Sequence, residues 1–217
     1  MEKLDRFYKK INGSYFGIIG FIISFISVLI AQMLYMAVDP SFSGTSNFIS
    51  DLGIGPNGSD IVFNNGMILS GIFLILFYTY IGWYLQKNGS NYSIKLGILA
   101  GIVSSMGQIL VGIYPLNSNN KFSYNMHILA AGILFYGLLI MLLIYGYNEY
   151  RNYKFPNSLT ILSFIYAILF GAFITSVIFQ YLSSIPFQMF TYILEWVGLW
   201  VGGIWIIAHI YFSLKNK

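Results

Sequence analysis

Six stretches of the chain are apolar over about 20 residues or more, and this pattern constrains the fold more than any other feature. The hydrocarbon core of a bilayer is about 30 Å thick, and an α-helix needs roughly 20 apolar residues to cross it. We therefore predict an all-α polytopic membrane protein, a bundle of six transmembrane helices forming one membrane domain over residues 1–217. The predicted spans are Ser14–Val38, Ile61–Gln86, Lys95–Pro115, Tyr124–Gly146, Ser158–Leu182 and Gln188–Phe212.

Charged residues are too few for a soluble protein of this size. Hydrophobic residues make up 57% of the chain and charged residues only 8%, whereas a soluble domain carries about 25% charged residues. A soluble fold would have to expose large apolar patches, and lipid removes that difficulty because it solvates apolar side chains.

The composition also limits the chemistry that the chain can perform. There is no cysteine, which excludes disulfides, thiolate metal sites and cysteine nucleophiles. The two histidines fall near opposite faces of the predicted bilayer, and a catalytic zinc usually needs three protein ligands. We predict no metal and no cofactor.

Lysine and arginine are distributed unequally between the two sides of the predicted bundle. Ten of the eleven fall on the side of the termini, and Lys121 is alone on the other side. Such residues accumulate in cytoplasmic loops, so we expect both termini in the cytoplasm and the chain in the plasma membrane. The ten residues are Lys3, Arg6, Lys9, Lys10, Lys87, Lys95, Arg151, Lys154, Lys215 and Lys217.

Polar residues gather in the half of the bundle that this orientation places outside. An ionisable group at the centre of a span costs roughly 2.5–3.5 kcal/mol, so it usually faces a partner or a wet cavity. Two such groups lie away from the predicted span ends, Glu195 and His127, and we expect His209 to be an ordinary interfacial residue at the inner boundary. The candidate binding cluster consists of Ser50, Asp51, Asn64, Asn65, Gln108, His127 and Glu195.

Each member of this cluster also has a purely structural interpretation. Glu195 can be a protonated acid in an interhelical hydrogen bond or an ionised site residue, and His127 can cap or bridge helices. Asn64 and Asn65 can hold helices together, and Asp51 can form a turn in the loop. Their shared depth is the feature that favours a site.

Small residues recur at helical spacing in two of the spans. Such small-xxx-small pairs let helix backbones approach closely, and ordinary bundle packing explains them. The same stripes carry Gln108 and Glu195, which we therefore expect to point toward protein. The pairs are Gly97 with Gly101 and Gly198 with Gly202.

Four stretches of the sequence together resemble a known family. They are FISDLGIGPNGSDIVFNNGMILSG, GQILVGIYP, NMHILAAGILF and EWVGLW. From about Gly17 to His209 the chain resembles the domain-of-unknown-function 998 family of prokaryotic six-span membrane proteins, and more distantly it is similar to the DRAM-like membrane family. The resemblance implies a six-helix fold and a polar cluster on the outer side. It implies no reaction, because the family has no assigned one.

The recurring elements of that family look like an S-[ED]-L-G loop motif, an Asn-Gly pair, a V-G-x-x-P end of the third span and a histidine in the fourth. Asp51 stands where glutamate is commoner in the family. The residues that match are Ser50, Asp51, Leu52, Gly53, Asn65, Gly66, Val111, Gly112, Pro115 and His127.

Four functions are compatible with these features. The first is binding of a lipid headgroup or a small molecule in an outer-leaflet polar pocket. The alternative is an accessory subunit of a larger membrane complex. Two others are a membrane lipid hydrolase, using a Ser50–His127–Asp51 triad or a His127–Glu195 acid–base pair, and a proton-coupled transporter. The expected partners are membrane lipids and other membrane proteins or further copies of the chain, and no nucleic acid.

Overall fold

The computed structural model describes residues 2–89, 92–182 and 188–216, and no strand occurs in these ranges. A short helix, α1, precedes six long helices, and each of the six is long and apolar enough to cross a membrane. A 3-10 helix (Ile49–Ile54) lies between the first two long helices. The helices are α1 (Glu2–Lys10), α2 (Ser14–Met36), α3 (Ser59–Asn88), α4 (Tyr92–Ile113), α5 (Lys121–Tyr150), α6 (Asn157–Leu182) and α7 (Gln188–Lys215).

The predicted fold class of six membrane-spanning helices is confirmed, while the predicted bounds differ at the helix ends. The largest difference is in α5, which continues to Tyr150 instead of ending at Gly146. This extension includes Glu149, which is buried, in the helix.

Local sequence explains where several helices begin and end. The side chain of Asn120 caps α5 by accepting a hydrogen bond from the backbone N–H of Ser123, 3.1 Å away. Before α3 the backbone turns through Asn57 and Gly58, whose φ values are 57° and 81°. Only glycine adopts the left-handed region without steric cost, so Gly58 is well suited to this turn.

The six long helices form a closed ring. Each packs against the helices before and after it in the chain, and α7 returns to pack against α2. The contact between α4 and α5 is especially close, because Gly107 faces the backbone of Leu134 and Gly137 faces that of Ser104. Small residues at such crossings let two backbones approach within van der Waals distance.

The two ends of this ring are different. At the terminal end, which carries both chain termini, the hydroxyls of Ser14 and Ser213 lie 2.6 Å apart. At the opposite end, which we call the capped end, the 3-10 helix packs against α2, α3 and α7 and covers the interior. Large apolar side chains, such as Met33 and Ile168, face outward from the ring, as expected of a lipid-facing surface.

Candidate functional site

A cavity of about 160 Å³ lies inside the ring, and all six long helices and the 3-10 helix contribute to its wall. Most of the wall is apolar, with phenylalanines from α2, α3, α5 and α6. Four of the seven residues in the predicted cluster line the cavity: Ser50, Gln108, His127 and Glu195.

Three of these polar side chains lie at a similar depth below the capped end. Glu195 follows the first residue of α7, Gln188, by seven positions, about 10 Å along the helix axis. His127 is six positions, about 9 Å, into α5. Gln108 precedes the end of α4 by five positions, about 8 Å. The ionisable and amide side chains of the wall therefore lie near the capped end, while the wall towards the terminal end is mostly aliphatic and aromatic.

Glu195 is held by the 3-10 helix (Ile49–Ile54), which we call the cover of the cavity. Its Oε2 atom accepts a hydrogen bond from the backbone N–H of Ile49 in the 3-10 helix, at 2.8 Å. No other hydrogen bond to this carboxyl occurs among the described residues, although Glu195 lines the cavity. Its second oxygen can therefore bind a guest in the cavity.

His127 is oriented by the chain segment that follows α4. Its Nδ1 atom lies 2.8 Å from the carbonyl oxygen of Tyr114. Because a carbonyl can only accept, Nδ1 carries the hydrogen and donates it. In a neutral imidazole Nε2 is then an acceptor, and no group in the described part of the chain hydrogen-bonds it. The imidazole lines the cavity, so Nε2 can accept a hydrogen bond from a bound molecule.

Gln108 is oriented in the same way by a neighbouring helix. Its Nε2 atom donates to the hydroxyl oxygen of Ser70 on α3, at 2.6 Å, while Ser70 donates to the carbonyl oxygen of Met67. This arrangement fixes the amide orientation and leaves the side-chain oxygen of Gln108 as a further acceptor.

The other three predicted site residues do not line the cavity. Asn65 is exposed and donates to the carbonyl oxygen of Ile61 in its own helix. Asn64 donates to the carbonyl oxygen of Gly53 at 2.9 Å, which ties α3 to the 3-10 helix. Asn64 therefore supports the cover of the cavity.

Asp51 also supports the cover. Its Oδ2 atom accepts a hydrogen bond from the backbone N–H of Phe48 at 2.9 Å, at the start of the 3-10 helix. Burial raises the pKa of the Asp51 carboxyl above its ordinary value, and the hydrogen bond from Phe48 opposes this shift.

The Ser50–His127–Asp51 triad is not assembled in this structure. A triad needs the carboxylate to hold the Nδ1–H of the histidine. Here that hydrogen is donated to Tyr114, and the carboxylate of Asp51 binds Phe48 instead. His127 and Glu195 both line the cavity without a direct hydrogen bond to each other, so they are two separate polar groups on its wall.

The expectation that His209 is an ordinary interfacial residue is wrong. Its side chain is 2% exposed, and its Nε2 atom lies 2.8 Å from Oε1 of Glu149. Glu149 was excluded from the predicted spans because α5 was expected to end at Gly146. The signal that identifies it is periodicity, since Glu149 follows the buried Leu142 and Tyr145 at helical spacing and shares their face.

Histidine, aspartate and glutamate do not gather in threes or more at a metal-binding distance anywhere in the described ranges. The buried glutamate and histidine side chains lie in two separate places. Glu195 and His127 line the cavity, and Glu149 and His209 form a pair at the terminal end.

Comparison with known proteins identifies a family. A family model described as "Protein of unknown function (DUF998)" matches residues 18–211. No curated protein and no solved structure matches the chain.

Proposed function

Because the chain belongs to the DUF998 family of integral membrane proteins, to which no activity is assigned, its role has to be inferred from the cavity, and we propose that it binds an amphiphile there. The guest is a lipid headgroup with part of its chain, or a small molecule of the same character. The observation that carries this proposal is the cavity itself, apolar over most of its wall and polar near the capped end.

The size and polarity of the cavity support an amphiphilic guest. Its volume of about 160 Å³ is close to that of an engineered cavity of about 150 Å³ that binds benzene. A ring or a short length of acyl chain fits such a space, and the polar groups can then hold a headgroup near the capped end. Pockets of this kind use apolar walls for affinity and a few polar groups for orientation.

The polar groups on the cavity wall determine which headgroups can form hydrogen bonds there. Nε2 of His127 and the side-chain oxygen of Gln108 are acceptors after their internal hydrogen bonds are made. The second oxygen of Glu195 is a further acceptor when the carboxyl is ionised, the form that a nearby ammonium favours. A matching head therefore carries donors, such as an ammonium or a hydroxyl group. A carboxylate at Glu195 also attracts an ammonium and repels a bare phosphate.

In this proposal the terminal end faces the cytoplasm of a cell whose plasma membrane holds the protein. The bias of ten basic residues against Lys121 supports that orientation. The capped end then lies at the outer leaflet, where the expected partners are membrane lipids.

Exchange of defined lipids into the purified protein tests the proposal. Native mass spectrometry would compare phosphatidylethanolamine with phosphatidylglycerol of the same acyl chains. We expect the ammonium-bearing lipid to be retained about tenfold better, a difference of about 1.4 kcal/mol. Glu195→Gln should remove most of this preference because it removes the negative charge while keeping an acceptor for Ile49.

The matched control is Asp60→Asn, which removes one carboxylate from the start of α3, outside the cavity wall. This variant should keep the wild-type preference. Equal retention of the two lipids, or the same preference in the Glu195→Gln protein, contradicts the proposal.

A further inference from the structure

The tyrosines follow one rule in the described part of the chain, with one exception. Exposed tyrosines lie within four residues of a helix end or in the loop between α5 and α6, where the phenol can reach headgroups and water. Tyrosines further into a long helix are buried. The exception is Tyr136. The exposed tyrosines that follow the rule are Tyr15, Tyr124, Tyr147, Tyr150, Tyr153 and Tyr211, and the buried ones are Tyr78, Tyr80, Tyr145 and Tyr166.

Tyr136 lies at the middle of α5 on the outer surface of the ring. It follows Lys121 by 15 residues and precedes Tyr150 by 14, so each helix end is about 22 Å away. Its side chain is 49% exposed and does not line the cavity, and its hydroxyl makes no hydrogen bond within the described ranges. The hydrocarbon core offers no water as a partner, and an unpaired hydroxyl there is unfavourable. The phenol therefore requires an acceptor from outside the chain.

The neighbouring helix α6 presents two small residues at the depth of Tyr136. The two helices meet where Gly146 faces the side chain of Ser163. From this contact towards the capped end, Tyr136 is ten residues away on α5, about 15 Å. In the same direction on α6, Gly171 and Thr175 are eight and twelve residues away, about 12 Å and 18 Å. Tyr136 therefore lies between them in depth.

This part of α6 offers an acceptor and room for an incoming ring. The hydroxyl of Thr175, which is exposed, donates to the carbonyl oxygen of Gly171 at 2.7 Å, so its oxygen can still accept a hydrogen bond. A Cβ added at Gly171 would meet nothing within 4 Å, so there is a recess at this position. Exposed isoleucines lie one turn away on both helices. The α5–α6 face consists of Tyr136, Ile140, Ile168, Gly171 and Thr175.

We propose that the α5–α6 face pairs with the same face of a second copy of the chain. Copies inserted in one direction are related by a two-fold axis along the membrane normal, so equivalent residues lie at equal depth. Such an axis places the donor of each copy opposite the acceptor of the other. Each Tyr136 phenol then donates to Oγ1 of Thr175 across the interface, and its ring occupies the recess at Gly171.

A second copy suits this face better than an unlike partner does. The face carries both the unpaired donor and an available acceptor, and an isologous contact satisfies both at once. Interhelical hydrogen bonds and small residues are the usual means of helix association in lipid. The inference is independent of the proposed function, since none of the five residues of the α5–α6 face lines the cavity.

Single-molecule photobleaching of the purified protein in liposomes tests the pairing. Tyr153→Cys, at a loop position that is 94% exposed, accepts one dye because the natural chain has no cysteine. We expect two bleaching steps for most particles. Tyr136→Phe keeps the ring but removes both hydrogen bonds of the dimer, so the dimerisation constant should fall about tenfold.

Tyr147→Phe is the matched control for the loss of a hydroxyl. Tyr147 lies on the same helix and is similarly exposed, at 47%, but it is close to the helix end. This variant should keep the wild-type dimerisation constant. Gly171→Leu provides a second test of the face, because its side chain fills the recess and should also weaken the dimer.

Disulfide cross-linking in native membranes tests which face pairs. Ala172→Cys places a thiol beside Gly171 on the exposed surface of α6. Ile26→Cys is the control at the middle of α2, where the residue is 47% exposed and the helix packs against α3 and α7. Oxidation should give a cross-linked dimer for Ala172→Cys and much less for Ile26→Cys.

Three results would overturn the proposal. One-step bleaching of the wild-type protein at every protein density would mean that the acceptor for Tyr136 belongs to a different molecule. A Tyr136→Phe protein that dimerises as tightly as the wild type would show that the phenol does not hold the pair. Equal cross-linking through Ile26→Cys would show that the contact is unspecific. None of these results depends on lipid exchange into the cavity.

Discussion

Glu195 on α7 accepts a hydrogen bond from the backbone N–H of Ile49, 2.8 Å away, in the 3-10 helix that covers the cavity. The same carboxyl lines the cavity. One side chain therefore both forms part of the cavity wall and hydrogen-bonds the 3-10 helix that covers it. A guest that binds the free oxygen of Glu195 would also influence how firmly the cover is held.

Removal of the carboxyl should loosen the cover. In Glu195→Ala the N–H of Ile49 loses its acceptor, which costs about 1–3 kcal/mol, and hydrogen exchange at the Ile49 amide should accelerate at least several-fold. Glu195→Gln keeps an acceptor and should retain most of the protection. If the alanine and glutamine variants exchange equally fast, the hydrogen bond does not hold the cover.

The close contact between α4 and α5 predicts that alanine substitutions at two glycines have opposite effects on stability. A Cβ added at Gly107 would overlap the backbone of Leu134, so Gly107→Ala should lower the stability by about 1–3 kcal/mol. A Cβ added at Gly132 meets nothing within 4 Å. Because alanine favours a helix over glycine by up to about 1 kcal/mol, Gly132→Ala should be neutral or slightly stabilising. Thermal unfolding in detergent measures both, and similar effects at the two positions would contradict the packing described above.

The partly buried carboxyl of Asp51 should make the stability of the cover depend on pH. Burial raises the pKa of its carboxyl in the folded protein, so the folded state holds this proton more tightly than the unfolded state. Its contribution to stability is complete below the ordinary aspartate value, about pH 4, and is lost as the pH rises through the folded value. Asp51→Asn should remove this decline, as seen in hydrogen exchange at the Phe48 amide.

Asp39 provides the control with the opposite sign. Hydrogen bonds from the hydroxyl and backbone N–H of Ser41 lower the pKa of the Asp39 carboxyl. Its contribution is present above the ordinary pKa and is lost as the pH falls. Asp39→Asn should therefore change the slope of the free energy of unfolding against pH in the opposite direction to Asp51→Asn. Equal slopes in the two variants would show that burial of Asp51 does not govern the profile.

Filling the cavity should lower lipid binding without lowering the stability of the protein. Ala131 lines the cavity, so Ala131→Leu places extra methyl groups in it. We expect lipid retention to fall while the melting temperature stays the same or rises, since filling a cavity commonly adds about 0.5–2 kcal/mol of stability. Gly132→Leu at the neighbouring open position is the matched control and should retain lipid. Loss of lipid in both variants would point to a general effect on the helix.

The six spans were predictable because lipid imposes one requirement on every helix, an apolar stretch long enough to cross the bilayer. The bounds were less predictable. At the end of α5 the polar residues Asn148 and Glu149 follow Gly146 and resemble the start of a loop. Tertiary partners decide otherwise, because Glu149 binds His209 and Ser163 from two other helices.

The depth of the candidate site was predictable for all its residues, but the direction of the side chains was predictable only for some of them. Gln108 and Glu195 occupy stripes of small residues, and both line the cavity. Asn64 and Asn65 are adjacent in sequence, yet one ties α3 to the 3-10 helix and the other faces outward. A rotation of 100° per residue separates neighbouring side chains, so depth alone cannot show which of them faces the interior.

An experimental density map of the protein in lipid nanodiscs tests the central claim most directly. We expect elongated density inside the ring, with its polar end within hydrogen-bonding distance of Nε2 of His127 and the free oxygen of Glu195, and its apolar end towards Tyr166. The same map of the Glu195→Gln protein should show weaker density at the polar end. A cavity that holds only water in both maps, or lipid bound only on the outside of the ring, would contradict the account.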